Sequence, residues 1–183
     1  PPEQLFYDLK PNLEFDHTQL SLLYIGTLSW EANIDGLVWF YQEIWERIKQ
    51  KYPDIKLFIV GKHPDVRITQ MAAQDSSIVL TGFVEDLEPY FQQGRVFITP
   101  LRFGSGIKVK VVNALYRGIP CVTTSIGAEG LKVKGGEHVY IKDVAATFAQ
   151  AIFTLLEDKK QWNYLQENAR ALARKYYTWD YVL

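Results

Sequence analysis

The chain has 183 residues, 48% of them hydrophobic, an ordinary size for one domain with a sizeable buried core. Twenty Lys and Arg against 21 Asp and Glu leave a formal charge of −1, which excludes a global field attracting nucleic acid or an anionic membrane and makes any anion site local. Cys121 is the single cysteine, so an internal disulfide framework and a cysteine-rich zinc site are excluded, and no apolar run nears the roughly 20 residues a spanning helix needs.

Residues 1–20 carry Pro1, Pro2, Pro11 and scattered charges and read as a leader or interdomain segment, with the folded domain over 21–183. The start at Pro1, without Met and without a basic and apolar leader, is read as the mark of a processed or excised fragment. Cysteine usage fits a reducing compartment, so a cytoplasmic location is expected.

Leu22-Leu23-Tyr24-Ile25 is a short apolar run stopped by Gly26, the pattern of a buried parallel strand and a turn. Leu37, Phe40, Tyr41, Ile44, Trp45 and Ile48 then recur at helical steps, with Asn33 expected to cap that helix and Pro53 to end it. Lys56–Val60 and Gly61 repeat the strand and glycine, and Pro64 is placed to open a helix through Ala73. Ile78-Val79-Leu80 leads into Gly82, Phe83 and Val84, after which Asp86 can cap a short helix through Gln93. Val96–Thr99 is a fourth strand, residues 107–117 a helix closed by Gly118, residues 120–124 a fifth strand and residues 139–141 a weaker sixth. Two amphipathic helices follow, one through Phe148, Ile152 and Leu155, the other through Trp162, Leu165 and Leu172.

Strand, glycine and helix in alternation predict an α/β, Rossmann-like three-layer domain with a mostly parallel sheet of about six strands and helices on both faces. Ligands of such sheets sit outside the carboxyl ends of the strands. The most informative stretch on that edge runs from Pro100 to Leu115. Gly104 and Gly106 allow close backbone approach to a ligand, and the free N–H groups of the following helical turn attract an anion such as a diphosphate. Arg102, Lys108 and Lys110 crowd this spot without a carboxylate, although a helix N-terminus disfavours cations, so a negative ligand is expected to compensate. Lys108 and Lys110, two residues apart, are not expected to share a helix face, so at most one should touch phosphate, helped by Arg102 or Ser105. The segment matches neither the dinucleotide fingerprint nor the P-loop. His17, His63 and His138 are isolated, and no acid, base or nucleophile stands out.

Gly104–Thr124, followed by Ile126-Gly127-Ala128-Glu129-Gly130-Leu131, resembles the donor-site region of retaining glycosyltransferases of family four, which have the GT-B fold. The likeness extends to Tyr24–Trp30, to Ile59-Val60-Gly61 and to Tyr177-Thr178-Trp179. It implies the C-terminal half of such an enzyme, binding a nucleotide-diphospho-sugar as donor for transfer of a hexose, with retention, to a sugar or glycolipid acceptor in polysaccharide biosynthesis. Gly26 and Thr27 would lie at the first loop, and Gly82, Phe83 and Val84 would meet the base. Gly104, Ser105, Gly106, Lys108 and Lys110 would hold the diphosphate, with the two lysines stabilising the leaving group without a metal or other cofactor. Gly127, Ala128, Glu129 and Gly130 would border the diphosphate and sugar. The implied partner is an N-terminal acceptor domain of a longer chain, without which the fragment transfers nothing and through which any membrane contact would be made.

The sequence departs from that family at the positions usually held by two glutamates, here Ser105 and Asn113, and at the basic pair after the first strand, here Thr27 and Ala32. A neutral Asn113 forms weaker bonds than a carboxylate. The alternative is therefore a catalytically inactive, glycosyltransferase-like binding or assembly module. A sugar-nucleotide epimerase of similar fold is a more distant third reading.

Overall fold

A computed structural model describes residues 12–177. Six strands form one parallel sheet: β1 (Ser21–Ile25), β2 (Lys56–Val60), β3 (Ile78–Gly82), β4 (Val96–Thr99), β5 (Cys121–Thr123) and β6 (Tyr140–Ile141). Their order is β3-β2-β1-β4-β5-β6, so the chain reverses direction across the sheet between β1 and β4. Ligands of doubly wound sheets bind at that reversal, in the crevice beyond the strand ends.

The strands are apolar on both faces because both are covered. Leu22, Tyr24, Leu57, Ile59, Val96 and Ile98 point into one core. It is closed by α1 (Glu31–Phe40), α2 (Glu46–Lys51), α3 (Val66–Gln74) and α7 (Ala145–Glu157). Leu23, Val60, Phe97 and Cys121 point into the other, covered by α4 (Glu88–Gln93), α5 (Val109–Arg117) and α8 (Lys159–Tyr176). This period-two division over strands with no polar face is what a sheet buried on both sides requires. A π turn over Tyr41–Trp45 joins α1 to α2, and α6 (Ser125–Ala128) is a single turn after β5. Leu13 and Phe15, within the expected leader, pack against the core, Phe15 edge-on to Trp162 at 5.8 Å.

Four helix starts differ from expectation. Leu87 rather than Asp86 stands at the cap of α4, and Asp86 accepts the N–H of Glu88. Asn33 does not cap α1: the helix begins two residues earlier, after Trp30, and Asn33 is buried in its first turn. Asp65, rather than Pro64, starts α3 by accepting a bond from the Arg67 N–H. The helix expected from residue 107 begins at Val109, since Lys108 is held in extended geometry, and Gly118 ends it as foreseen with φ +76°. Thr178 and Trp179 lie outside the described residues.

Candidate functional site

A cavity of about 480 Å³ opens at the carboxyl ends of β1 and β4, between the first turn of α1 and the start of α5. Gly26, Thr27, Trp30 and Asn33 line one side, and Gly104, Ser105, Ile107, Lys108, Val109 and Lys110 line the other.

The loop entering α5 is shaped by backbone needs. Gly104 and Gly106 have φ +116° and +78°, where side-chain-bearing residues are strained, yet a methyl on Gly106 would meet nothing. Conformation, not crowding, requires that glycine. Lys108 precedes the helix without capping it by its side chain. Its carbonyl accepts the N–H of Val111 and Val112, whereas those of Val109 and Lys110 have no hydrogen-bond partner among the described residues. The helix therefore presents its positive end uncapped beside the cavity.

Lys110 reaches back from α5 to the end of β1. Its Nζ donates to Tyr24 Oη at 2.9 Å and to Asn33 Oδ1 at 2.7 Å, and it lies 4.7 Å from the centre of the Tyr24 ring. Gly26 makes room, because a Cβ there would stand 2.8 Å from that nitrogen. Burial, with a smaller contribution from the nearby Lys108 charge, brings the Lys110 ammonium down to about 7, while burial pushes the Tyr24 phenol up and keeps it neutral.

Lys108 Nζ donates to the Gly106 carbonyl at 2.6 Å and lies 3.9 Å from Glu129 Oε2. Both lysines line the same cavity, contrary to the face argument. Helical spacing does not apply to the pair, because Lys108 has φ −87° and ψ +91° and lies before the helix. Arg102 turns the other way: its Nε and Nη2 grip the Asp35 carboxylate, with Nε to Oδ2 at 2.9 Å, so its charge is met by protein.

The remaining expected residues stand around this centre rather than in its wall. Gly127 and Ala128 belong to α6, where the Gly127 N–H is capped by Thr124 Oγ1 at 3.1 Å. A Cβ on Gly127 would stand 2.0 Å from Thr123 Oγ1, so close packing within the protein accounts for this glycine. Gly130, at φ +75°, touches the cavity wall through Ile107, 3.3 Å from where its Cβ would be, and Glu129 is exposed beside it. Gly82 ends β3, two strands from β1, and Phe83 and Val84 follow it, with Phe83 70% exposed. Asn113 accepts a bond from Arg117 Nη1 at 3.2 Å, one helical turn on.

The histidines stay apart. His17 is exposed next to Glu14, the His138 Nδ1 accepts the Lys134 N–H, and His63 sits at φ +54° in the turn after β2. Among the described residues, no three or more His, Cys, Asp and Glu gather as metal ligands would, and no helix is long and apolar enough to cross a membrane. Sequence reasoning missed Tyr24, Asn33 as a Lys110 partner, and Asp35. The available signal was polar chemistry in the first turn of an otherwise apolar helix.

Comparison with known proteins places this geometry. The profile of the family described as glycosyl transferases group 1 matches residues 19–158. The O-antigen chain mannosyltransferase B of Escherichia coli is 29% identical over 164 residues, 86% of this chain and 42% of that protein. The chain spans 38–42% of the length of the curated relatives it matches. The C-terminal domain of the group 1 glycosyl transferase LpcC from Francisella tularensis superposes with a TM-score of 0.76 at 17% identity, covering 97% of this chain and 98% of that domain. TarM of S. aureus, in a crystal structure with fondaparinux, α-GlcNAc-glycerol and UDP, gives a TM-score of 0.79 at 15% identity over 94% of this chain and 35% of its own. With the family profile running from before β1 to the end of α7, and a doubly wound sheet of the kind found in GT-B C-terminal domains, the chain belongs to the group 1 glycosyl transferases.

Proposed function

We propose that this chain is the donor half of a retaining, cytoplasmic hexosyltransferase: it binds a nucleotide-diphospho-sugar, and an N-terminal acceptor domain of the same longer chain supplies the sugar or glycolipid that receives the hexose. The observation that carries the reading is the convergence of two lysines and the uncapped N-terminus of α5 on one cavity at the switch point of the sheet. The named activity of the E. coli relative, a mannosyltransferase, and the UDP held by TarM support the same substrate class.

In this reading the diphosphate lies against Gly104–Lys110, and the sugar extends toward Gly127–Gly130. The base faces Gly82, Phe83 and Val84, where the exposed Phe83 ring offers a surface for stacking. As the bond from the anomeric carbon to the diphosphate oxygen breaks, negative charge grows on the departing phosphate. The free amides of Val109 and Lys110 and the ammonium groups of Lys108 and Lys110 stabilise that charge, with no metal required. The hydroxyl of the acceptor forms the new bond on the face the diphosphate leaves, passing its proton to the departing phosphate oxygen, which retains configuration.

The test is thermal unfolding of the 183-residue chain with UDP, GDP or ADP, followed by turnover of the full-length protein. One of the three should raise the unfolding temperature, by a stabilisation near 2.7 kcal/mol at a ligand concentration about 100-fold above Kd. Lys108→Ala and Lys110→Ala, made singly, should each slow transfer, and unchanged turnover in both ends the mechanism. Donor binding without transfer by the full-length protein would favour the inactive binding module.

A further inference from the structure

We infer that Tyr24 and Asn33 are positioning residues that hold the Lys110 ammonium at the cavity without neutralising it, so that its charge is delivered to a ligand phosphate instead of a protein carboxylate. The inference rests on the donor-site reading above and adds to it two residues from elements remote from the glycine loop.

An ammonium group has three N–H donors and no acceptor. Two of those on Lys110 are taken by Tyr24 Oη and Asn33 Oδ1, which leaves one for the cavity that Lys110 lines. The orientation of the Asn33 amide is set independently. Its Nδ2 donates to the Thr27 carbonyl at 2.8 Å, so its Oδ1 must face Lys110. Both partners are nearly sealed from solvent, Tyr24 at 0% and Asn33 at 4% exposure, and neither brings a charge. The charged and titratable groups facing the ammonium are Tyr24 from β1 and Lys108 from the loop before α5, and among the described residues no carboxylate pairs with it.

A half-buried cation held by neutral groups is an incomplete ion pair, and an anion completes it. A diphosphate does so at close range, and its charge stabilises the protonated amine. Above pH 7 the free amine therefore gains a proton when the ligand arrives, so affinity falls as pH rises. Phosphate protonation, near pH 6, lies below that range.

The experiment is calorimetric titration of the 183-residue chain with UDP, GDP and ADP at pH 7, 8 and 9, in two buffers of different ionisation enthalpy so that proton uptake is counted. For the wild type, affinity should fall by up to about tenfold per pH unit, with uptake approaching one proton at the upper end. Asn33→Asp places a carboxylate on the ammonium and keeps it charged throughout. Its profile should be flat, its proton uptake near zero, and its affinity at pH 7 lower by about tenfold or more, the scale of one lost charged hydrogen bond. Tyr24→Phe keeps the ring and removes the acceptor, with a loss of about three- to tenfold expected. Thermal unfolding confirms that each variant is folded, and either one suffices if the other is not. If the wild type binds a nucleotide while both variants match its affinity and pH profile, the positioning role is wrong and the donor site stands. If the wild type binds none of the three nucleotides, the donor reading fails and this inference falls with it.

Discussion

Two cations, Arg102 in the connection between β4 and α5 and Lys110 in the first turn of α5, meet opposite surroundings. On the outer flank, Arg102 finds Asp35, two bonds and open solvent. At the cavity, Lys110 finds Tyr24 and Asn33, two neutral oxygens shut away from water. Both partners, Asn33 and Asp35, come from the first turns of α1, two residues apart, so one helix supplies a counter-charge on one flank and withholds it on the other. The first arrangement is complete and fastens a loop to a helix. The second leaves an uncompensated charge where a ligand can enter, which is how perturbed titratable groups come to mark functional clefts.

The comparison can be broken at its shared support. Gly61 lies against the end of β1, and a Cβ there would stand 1.9 Å from the Gly26 carbonyl oxygen. Gly61→Ala must separate backbones, and a loss of about 3 kcal/mol or more is expected by chemical denaturation, with the Lys110 side of the cavity displaced alongside. A loss below about 1 kcal/mol would show that β1 and β2 are less rigidly matched here than their register implies.

Next in size is the pH response of stability. The unfolded chain keeps the Lys110 proton to its ordinary value of 10.5, and the folded chain gives it up near 7. Between those values the unfolded state binds more protons, so stability should rise with pH by up to about 1.4 kcal/mol per unit, and below pH 7 the full penalty remains. Lys110→Met should remove this slope in denaturation curves taken from pH 7 to 9, while Arg102→Ala should leave it in place. The smallest effect is that of Arg102→Ala itself. Its exposed ion pair is worth about 1 kcal/mol or less, and nucleotide affinity should stay within about threefold of wild type. An affinity loss matching that of Lys110→Met would mean that Arg102 abandons Asp35 for the ligand.

Much of the architecture was legible because its signals are local. Six apolar runs, each ended by a turn or by Pro or Gly, could bury both faces only in a covered parallel sheet, and the glycines at 104 and 106 announced a left-handed loop before a helix. The partners of the cations were not legible, since Asp35 lies 67 residues from Arg102, and Asn33 and Tyr24 lie 77 and 86 residues from Lys110. Asn33 was read as a cap because a polar residue at a helix start usually is one, and here the bond from Lys110 outweighed that local preference. Helical periodicity would put the two lysines on different faces, but it does not extend to a residue held before the helix.

By itself, then, the order of amino acids determined the layered α/β class, the loop chemistry entering α5 and the edge of the sheet where a ligand would sit, because periodicity and glycine geometry act over a few residues. Tertiary structure alone decided which charges were answered. Pairing depends on which side chains β1, α1 and α5 bring within about 3 Å of each other, and on how much water that packing removes. Arg102 was thereby given to the scaffold, and Lys110 was left with a neutral cradle and a lowered proton affinity.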